Sequence, residues 1–283
     1  MTHEVGGVKV AALFTALALT ASLSAWVERQ FFYPDRTAYT APPQFGLNAE
    51  DAWIEGPQGA RLHGWWFAAR GPAHGTVLHL HGNAGNISAH LSLVAWLPYA
   101  GFNLLAFDYR GFGRSEGEPT LDGVVEDAGA ALEWVRRRPD VDAQRLVVLG
   151  QSMGGATAVR LLAADSRGVR LLVLDCAFSS YRGIARDAVG GSWLRWIAPA
   201  ALQVLPGDDR DPVSAIRSVR VPVLVMHSAD DSVVPIHHGR ALFAAANEPR
   251  QWLEVKQSQH IEGLAREPVR REVAAAMLSA LEQ

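Results

Sequence analysis

The chain has 283 residues, 49% of them hydrophobic and 19% charged, a balance that buries a sizeable core and excludes a disordered chain. A net charge of −3, with only Lys9 and Lys256 as lysines and the arginines scattered, gives no electrostatic footprint for nucleic acid. The single Cys176 excludes an intramolecular disulfide and any multi-cysteine metal centre, and its apolar surroundings read as those of a buried structural thiol.

In chain order, the first informative segment is Val10–Val27, eighteen residues without a charge. As a helix it would extend roughly 27 Å, marginally enough to cross a bilayer. Trp26, Phe31, Phe32 and Tyr33 come at its end and suit an interfacial aromatic belt. Thr20-Ala21-Ser22 and Ser22-Leu23-Ser24 offer small residues at cleavage-like spacing, so residues 1–33 read as a single-pass membrane anchor or as a signal segment. Lys9 and the α-amino group roughly balance Arg29 and Arg36 across the span; the soluble domain is expected on the extracytoplasmic side.

Pro34 to Asn48 is a polar, proline-bearing linker. Beyond it, apolar runs predict strands at Ala52–Glu55, Leu62–Phe67, Thr76–Leu80, Leu104–Phe107, Leu146–Leu149, Leu171–Leu174, Val223–Met226 and Gln251–Val255. Helices are predicted near Ser88–Tyr99, Leu121–Arg138, Ala156–Ala164, His237–Ala246 and Pro268–Leu281. Within Leu121–Arg138, residues Val124, Val125, Ala128, Ala131, Leu132 and Val135 form one helical stripe. Continuous apolar strands alternating with helices predict an α/β fold over residues 34–283, with a mostly parallel sheet covered on both faces. The first two strands are close enough to pair as an antiparallel hairpin. Tyr181–Val219 has no clear strand but carries Trp193, Leu194, Trp196 and Ile197, and it is expected to form a lid over the strand ends.

The chemistry gathers around Gly150-Gln151-Ser152-Met153-Gly154, a G-x-S-x-G pentapeptide between a strand and a helix. A serine hydroxyl is a poor nucleophile without a base and fixed geometry. His260, in the polar loop after the last strand, is the candidate base. Its carboxylate partner is expected from Asp230 or Asp231, in the loop after Val223–Met226, with Asp175 a less favoured alternative. In a parallel sheet all these post-strand loops gather on one edge. The order Ser152, Asp231, His260 is the one this architecture uses. For the oxyanion, the N–H of Met153 and that of Asn83, in His81-Gly82-Asn83-Ala84-Gly85-Asn86, are the candidates.

Together with Asp108-Tyr109-Arg110-Gly111-Phe112-Gly113-Arg114-Ser115 and Asp231-Ser232-Val233-Val234-Pro235, these motifs resemble the α/β-hydrolase superfamily over about residues 30 to 280. The resemblance is nearest to its membrane-anchored branch of bud-emergence-type and protein depalmitoylase-like enzymes. It implies an eight-stranded sheet with an antiparallel member among its first strands. It also implies a Ser152–Asp231–His260 triad, and a structural role for the Asp108–Ser115 loop. Ser228 and Gln259 stand where that family usually has glycine. The expected activity is hydrolysis of small-molecule carboxylic esters or thioesters, lipid-like ones included, without metal or organic cofactor. The alternatives are a small-peptide aminopeptidase, with Asp208, Asp209 and Asp211 as a thin amine site, and a non-catalytic membrane-tethered binding module. Haloalkane dehalogenation is disfavoured, because it needs a carboxylate where Ser152 stands.

Overall fold

The computed structural model describes residues 26–189 and 210–282, with Leu205 and Gly207. Its main sheet has eight strands: β2 (Glu50–Glu55), β3 (Arg61–Phe67), β4 (Gly75–Leu80), β6 (Phe102–Phe107), β7 (Leu146–Gln151), β8 (Val169–Asp175), β9 (Val223–Ser228) and β10 (Arg250–Val255). Two short strands, β1 (Tyr33–Pro34) and β5 (Ala84–Gly85), pair separately and in parallel. The spatial order is β10-β9-β8-β7-β4-β6-β3-β2. β2 and β3 form the expected antiparallel hairpin, β3 is also antiparallel to β6, and the remaining neighbours are parallel.

Alternate residues of each central strand feed two cores, because successive side chains point to opposite faces. One core takes Leu78, Val148, Leu172 and Val225; the other takes Val77, Val147, Val173 and Leu224. Helices α2 (Gly123–Arg136), α3 (Met153–Ala164) and α6 (His237–Ala245) cover the first. Helices α1 (Ile87–Val94) and α7 (Glu267–Leu281) cover the second. From β4 the chain moves to β6 on one side and returns to β7 on the other, so a topological switch point lies beside β4. A ligand crevice is expected at the carboxyl ends of the strands there.

Several boundaries differ from the sequence pattern for identifiable reasons. The first helix ends at Val94, and Pro98 starts a separate 3₁₀ turn through Ala100, since proline cannot continue an α-helix. Helix α3 begins at Met153, immediately after Ser152, three residues before the apolar pattern shows it. On α2 the buried stripe is Val124, Ala128, Ala131, Leu132 and Val135, but Asp127 shares it while Val125 is only half-buried. In the 181–219 insertion, α4 (Tyr181–Val189) and the single turn α5 (Pro212–Ala215) flank a middle most of which lies outside the described residues, Trp193 and Trp196 included.

The amino-terminal aromatics divide in a way the sequence does not show. Phe32 is buried in the core, edge-on to Phe112, and Phe31 packs edge-on against Tyr181. This corrects the reading of those two rings as an interfacial belt: they are part of the domain. Trp26 and Tyr33 remain exposed. Among the described residues no helix is long and apolar enough to cross a membrane; nearly all of the Val10–Val27 segment lies outside them.

Asp127 is buried because Arg110 reaches it: the guanidinium Nη2 lies 2.7 Å from Oδ1, Nε bonds both oxygens, and the Arg110 N–H donates to Oδ2 at 2.8 Å. Burial lifts the Asp127 carboxyl above its usual range despite this partner. Removing Asp127 takes from the buried Arg110 its main partner and leaves only Glu126, 3.1 Å from Nη2 and half in solvent. Asp127→Ala is therefore expected to cost about 3–5 kcal/mol, read as a lower urea midpoint.

Candidate active site

The turn at Ser152 is forced by what surrounds it. Ser152 has φ 53° and ψ −117°, a conformation L-residues avoid, and its N–H is tied to the Asp175 carbonyl at 2.8 Å. Strand β7 and helix α3 meet so closely here that a Cβ on Gly150 would lie 2.5 Å from the Gly154 carbonyl oxygen. One on Gly154 would lie 2.0 Å from the Leu80 carbonyl oxygen of β4. The two glycines are thus the condition for the turn. It places Ser152 at the amino end of α3, beside the switch point, with Leu80 paired to Gly150.

Asp231 and His260 come together after β9 and β10. Asp231 Oδ1 accepts the N–H groups of Val233 and Val234 at 2.9 and 2.8 Å, which aims Oδ2 at His260 Nδ1, 2.7 Å away. Burial alone would raise this carboxyl; the bond and charge of His260, helped by the two amides, overcome it and hold the group below its ordinary range. In the neutral ring this bond places the proton on Nδ1, which leaves Nε2 with the lone pair. Asp230, its sequence neighbour, is exposed. His260 lies close enough to Asp175 and His90 for its charge to act on both. Ser152 Oγ makes no hydrogen bond among the described residues, so the serine and the imidazole share the edge without a closed contact.

Met153 is the first residue of α3, and its N–H stands at the helix amino end. Asn83 is half-buried in the loop after β4, and its carbonyl accepts the Tyr33 N–H at 2.8 Å. Gly82 brings the two sides together: a Cβ there would lie 3.7 Å from Ser152 Cβ. The residues that replace the expected glycines are also used. The Ser228 N–H points at Cys176 Sγ, 3.4 Å away, and Gln259 Oε1 accepts the Ser232 hydroxyl at 3.4 Å.

Beneath the site is a layer of histidines whose importance the sequence does not reveal. His79 donates through Nε2 to Gln151 Oε1 at 2.9 Å, and Gln151 Nε2 donates to Asp175 Oδ2 at 2.9 Å. Asp175 is thereby a buried scaffold group, its carboxyl raised by burial. Burial, with the charge of His90 adding, pushes His79 down to about 3; burial lowers His81 and His90 too, so all three are neutral at pH 7. His81 donates Nδ1–H to the Gly82 carbonyl at 2.8 Å, which leaves Nε2 bare and 3.5 Å from Asp108 Oδ1. Burial lifts Asp108 to about 7, so the carboxyl beside that lone pair holds its proton far further up the pH range than a free one. The one local signal for this layer was Gln151, a polar residue at the end of an apolar strand.

Two groups of possible metal ligands are tied up otherwise. His227 donates Nε2–H to the Val234 carbonyl at 2.8 Å, and burial keeps the neighbouring Cys176 thiol protonated. His238 Nδ1 accepts the Ser179 N–H at 3.2 Å, so its Nε2 keeps a proton and donates to Asp187 Oδ2 at 3.0 Å. A metal needs deprotonated donors. The second group instead tethers α4 to the start of α6.

A mostly parallel eight-stranded sheet, with a strained serine turn after a central strand and an Asp–His pair on later strand ends, defines the α/β-hydrolase class. The chain belongs to that superfamily: residues 71–217 match the hydrolase family described as serine aminopeptidase, S33. It is 39% identical to the Salmonella typhi protein YfhR, itself described as uncharacterized, over 83% of this chain and 81% of that one. It is 28% identical to the lysophosphatidylserine lipase ABHD12 of Danio rerio, over 74% of this chain and 58% of that one. The esterase Pf2001 of Pyrococcus furiosus shares the fold, with a TM-score of 0.72 at 20% identity over 89% of this chain and 97% of that one.

Gly154→Ala should abolish the turn, read as loss of soluble, cooperatively unfolding protein. Asp108 carries a signed pH dependence. Unfolded, it titrates near about 4; folded, at about 7. Between those values the folded chain holds a proton that the unfolded one has released, so its contribution to stability falls as pH rises through that window. Asp108→Asn removes the effect. The variant should gain on the wild type from about pH 4 to 7 and level off above, measured by urea unfolding across that range.

Proposed function

We propose that the protein is a serine hydrolase of carboxylic esters or thioesters, acting through an acyl-enzyme on Ser152. The observation that carries this reading is the 2.7 Å Asp231–His260 pair on the same edge as a serine held at φ 53°. Ser152 Oγ attacks the acyl carbon while its proton passes to His260 Nε2. The carbonyl oxygen takes the negative charge and is received by the N–H groups of Asn83 and Met153. Collapse expels the alcohol or thiol, which takes its proton from Nε2. Water then repeats the sequence, releasing the carboxylic acid and restoring Ser152. Asp231 holds the imidazole tautomer and stabilises the imidazolium.

Aminopeptidase action is the second reading, favoured by the description of the matching family. Its amine site gains no support among the described residues. Asp211 is buried and accepts the Tyr181 N–H at 2.9 Å, while Asp208 and Asp209 lie outside them. A binding module that has lost chemistry would have no use for a strained serine on the same sheet edge as an oriented Asp231–His260 pair. A lipid-like acyl group drawn from a membrane is the substrate we favour. It is supported by the name of the zebrafish relative and by the uncharged Val10–Val27 segment, which would serve as the anchor of the membrane-anchored branch.

A fluorophosphonate probe should label the wild type and leave Ser152→Ala untouched; an intact wild type that never labels would overturn the reading. Asp231→Asn should lower kcat by about 10³- to 10⁴-fold on a short acyl ester. In a panel of acyl esters against aminoacyl amides, the esters should turn over faster, and a preference for the amides would move the assignment to the aminopeptidase.

A further inference from the structure

The loop that carries the Asn83 N–H has little regular structure of its own, yet the carbonyls of four successive residues in it are each held, one by the loop's own His81 and three from outside. The Gly82 carbonyl accepts His81 Nδ1–H at 2.8 Å, and the Ala84 carbonyl accepts His90 Nε2–H at 3.1 Å. The other two are held by the amino-terminal segment: the Asn83 carbonyl by the Tyr33 N–H at 2.8 Å, and the Gly85 carbonyl by the Asp35 N–H at 3.1 Å. In a trans peptide the carbonyl and the N–H point in opposite directions. Pinning the Gly82 carbonyl toward His81 therefore turns the Asn83 N–H the other way. Pinning the Asn83 carbonyl on Tyr33 fixes the next plane and leaves Asn83 no freedom to rotate between them.

The segment supplying Tyr33 and Asp35 is itself fastened chiefly by Asn86, with Gly113 and Ser88 adding to it. Asn86, buried at the amino cap of α1, accepts the Ser88 N–H through Oδ1 at 2.9 Å. Its Nδ2 donates to the Asp35 carbonyl at 3.0 Å and to the Thr37 carbonyl at 2.8 Å. The Asp35 carbonyl also receives the Gly113 N–H at 2.9 Å, and the Tyr39 N–H reaches Ser88 Oγ at 3.0 Å. All the hydrogen-bonding capacity of the Asn86 amide is thus split between the oxyanion-loop helix and residues 35–37.

We propose that residues 33–37 are a strap that orients the Asn83 N–H toward the developing oxyanion, and that Asn86, which fastens the strap, is a positioning residue for the reaction. The proposal rests on the serine-hydrolase reading above. An N–H that wanders loses the stabilisation of a fixed donor, which is worth up to about 10²- to 10³-fold in kcat. Loosening the strap should cost part of that range, while ground-state binding of the substrate, which needs no oriented N–H, is left alone.

The test uses the full-length protein and two variants. Asn86→Ser keeps an oxygen to cap α1 but lacks the two N–H donors and adds no charge. Tyr33→Pro removes the N–H that holds the Asn83 carbonyl, at a position whose side chain is exposed, so it reads the same function even if the first variant folds poorly. Each is expected to lower kcat on a short acyl ester by about 10- to 100-fold, with KM within about twofold. A trifluoromethyl ketone, whose serine hemiketal places an oxyanion in the same site, should lose affinity by the factor lost in kcat/KM. The strap is overturned if both folded variants keep kcat within twofold of a wild type that turns over ester. It is equally overturned if kcat falls while the ketone binds as before, because the damage would then be merely structural. A wild type that neither labels with fluorophosphonate nor hydrolyses any ester overturns the underlying hydrolase reading instead.

Discussion

The site depends on one backbone conformation, that of Ser152. A non-glycine residue at φ 53° and ψ −117° costs about 1–3 kcal/mol and persists only when its surroundings over-determine it. Here they do. The serine N–H is committed to Asp175, while Leu80 and the two glycines bring β4, β7 and α3 into near contact. The burial of Ala156, Val159 and Leu162 on α3 opposes any relaxation of the turn. The strain is held by the centre of the sheet, the part of the molecule least able to yield.

Charge around that turn is arranged economically. Asp231 is the carboxylate kept ionised next to the histidine, and it is kept so by two backbone amides as well as by His260. Asp108 and Asp175, more deeply buried, are instead lifted by their surroundings, and the imidazoles of His79, His81 and His90 stay neutral. The contrast follows from partners as well as from depth. A carboxyl given an imidazole and two amides is held below its ordinary range; one given a single N–H or an amide side chain is lifted above it.

The large elements were legible because they follow from periodicity. All eight main strands and the helices on both faces can be read from apolar runs and from the stripe on α2, and the post-strand positions of Ser152, Asp231 and His260 follow from parallel topology. What escaped were features created by partners distant in sequence. β1 and β5 are too short to carry a pattern and exist only because each completes the other. Asp127 breaks a hydrophobic stripe that only Arg110 makes tolerable. Phe31 and Phe32 look like the edge of an apolar span until Tyr181 and Phe112 are seen against them. Asn86 stood in the motif as one more turn residue, although asparagine ahead of a helix is a strong capping signal.

The neutral histidine floor bears on selectivity. Hydrogen bonds between uncharged rings, amides and carbonyls create short-range dipoles whose influence fades within a few ångströms, unlike the field of a net charge. The floor can therefore organise the reacting carbonyl without attracting or repelling whatever is attached to it. On the proposed serine-hydrolase reading, anionic, zwitterionic and uncharged leaving groups would meet the same histidine floor. Discrimination among them would then fall to exposed groups such as Arg36 on the strap and Asp230 next to Asp231, both open to solvent. On the proposed reading, reactivity and any preference for the charge of the leaving group would thus sit in different layers of the molecule, and a change in one need not disturb the other.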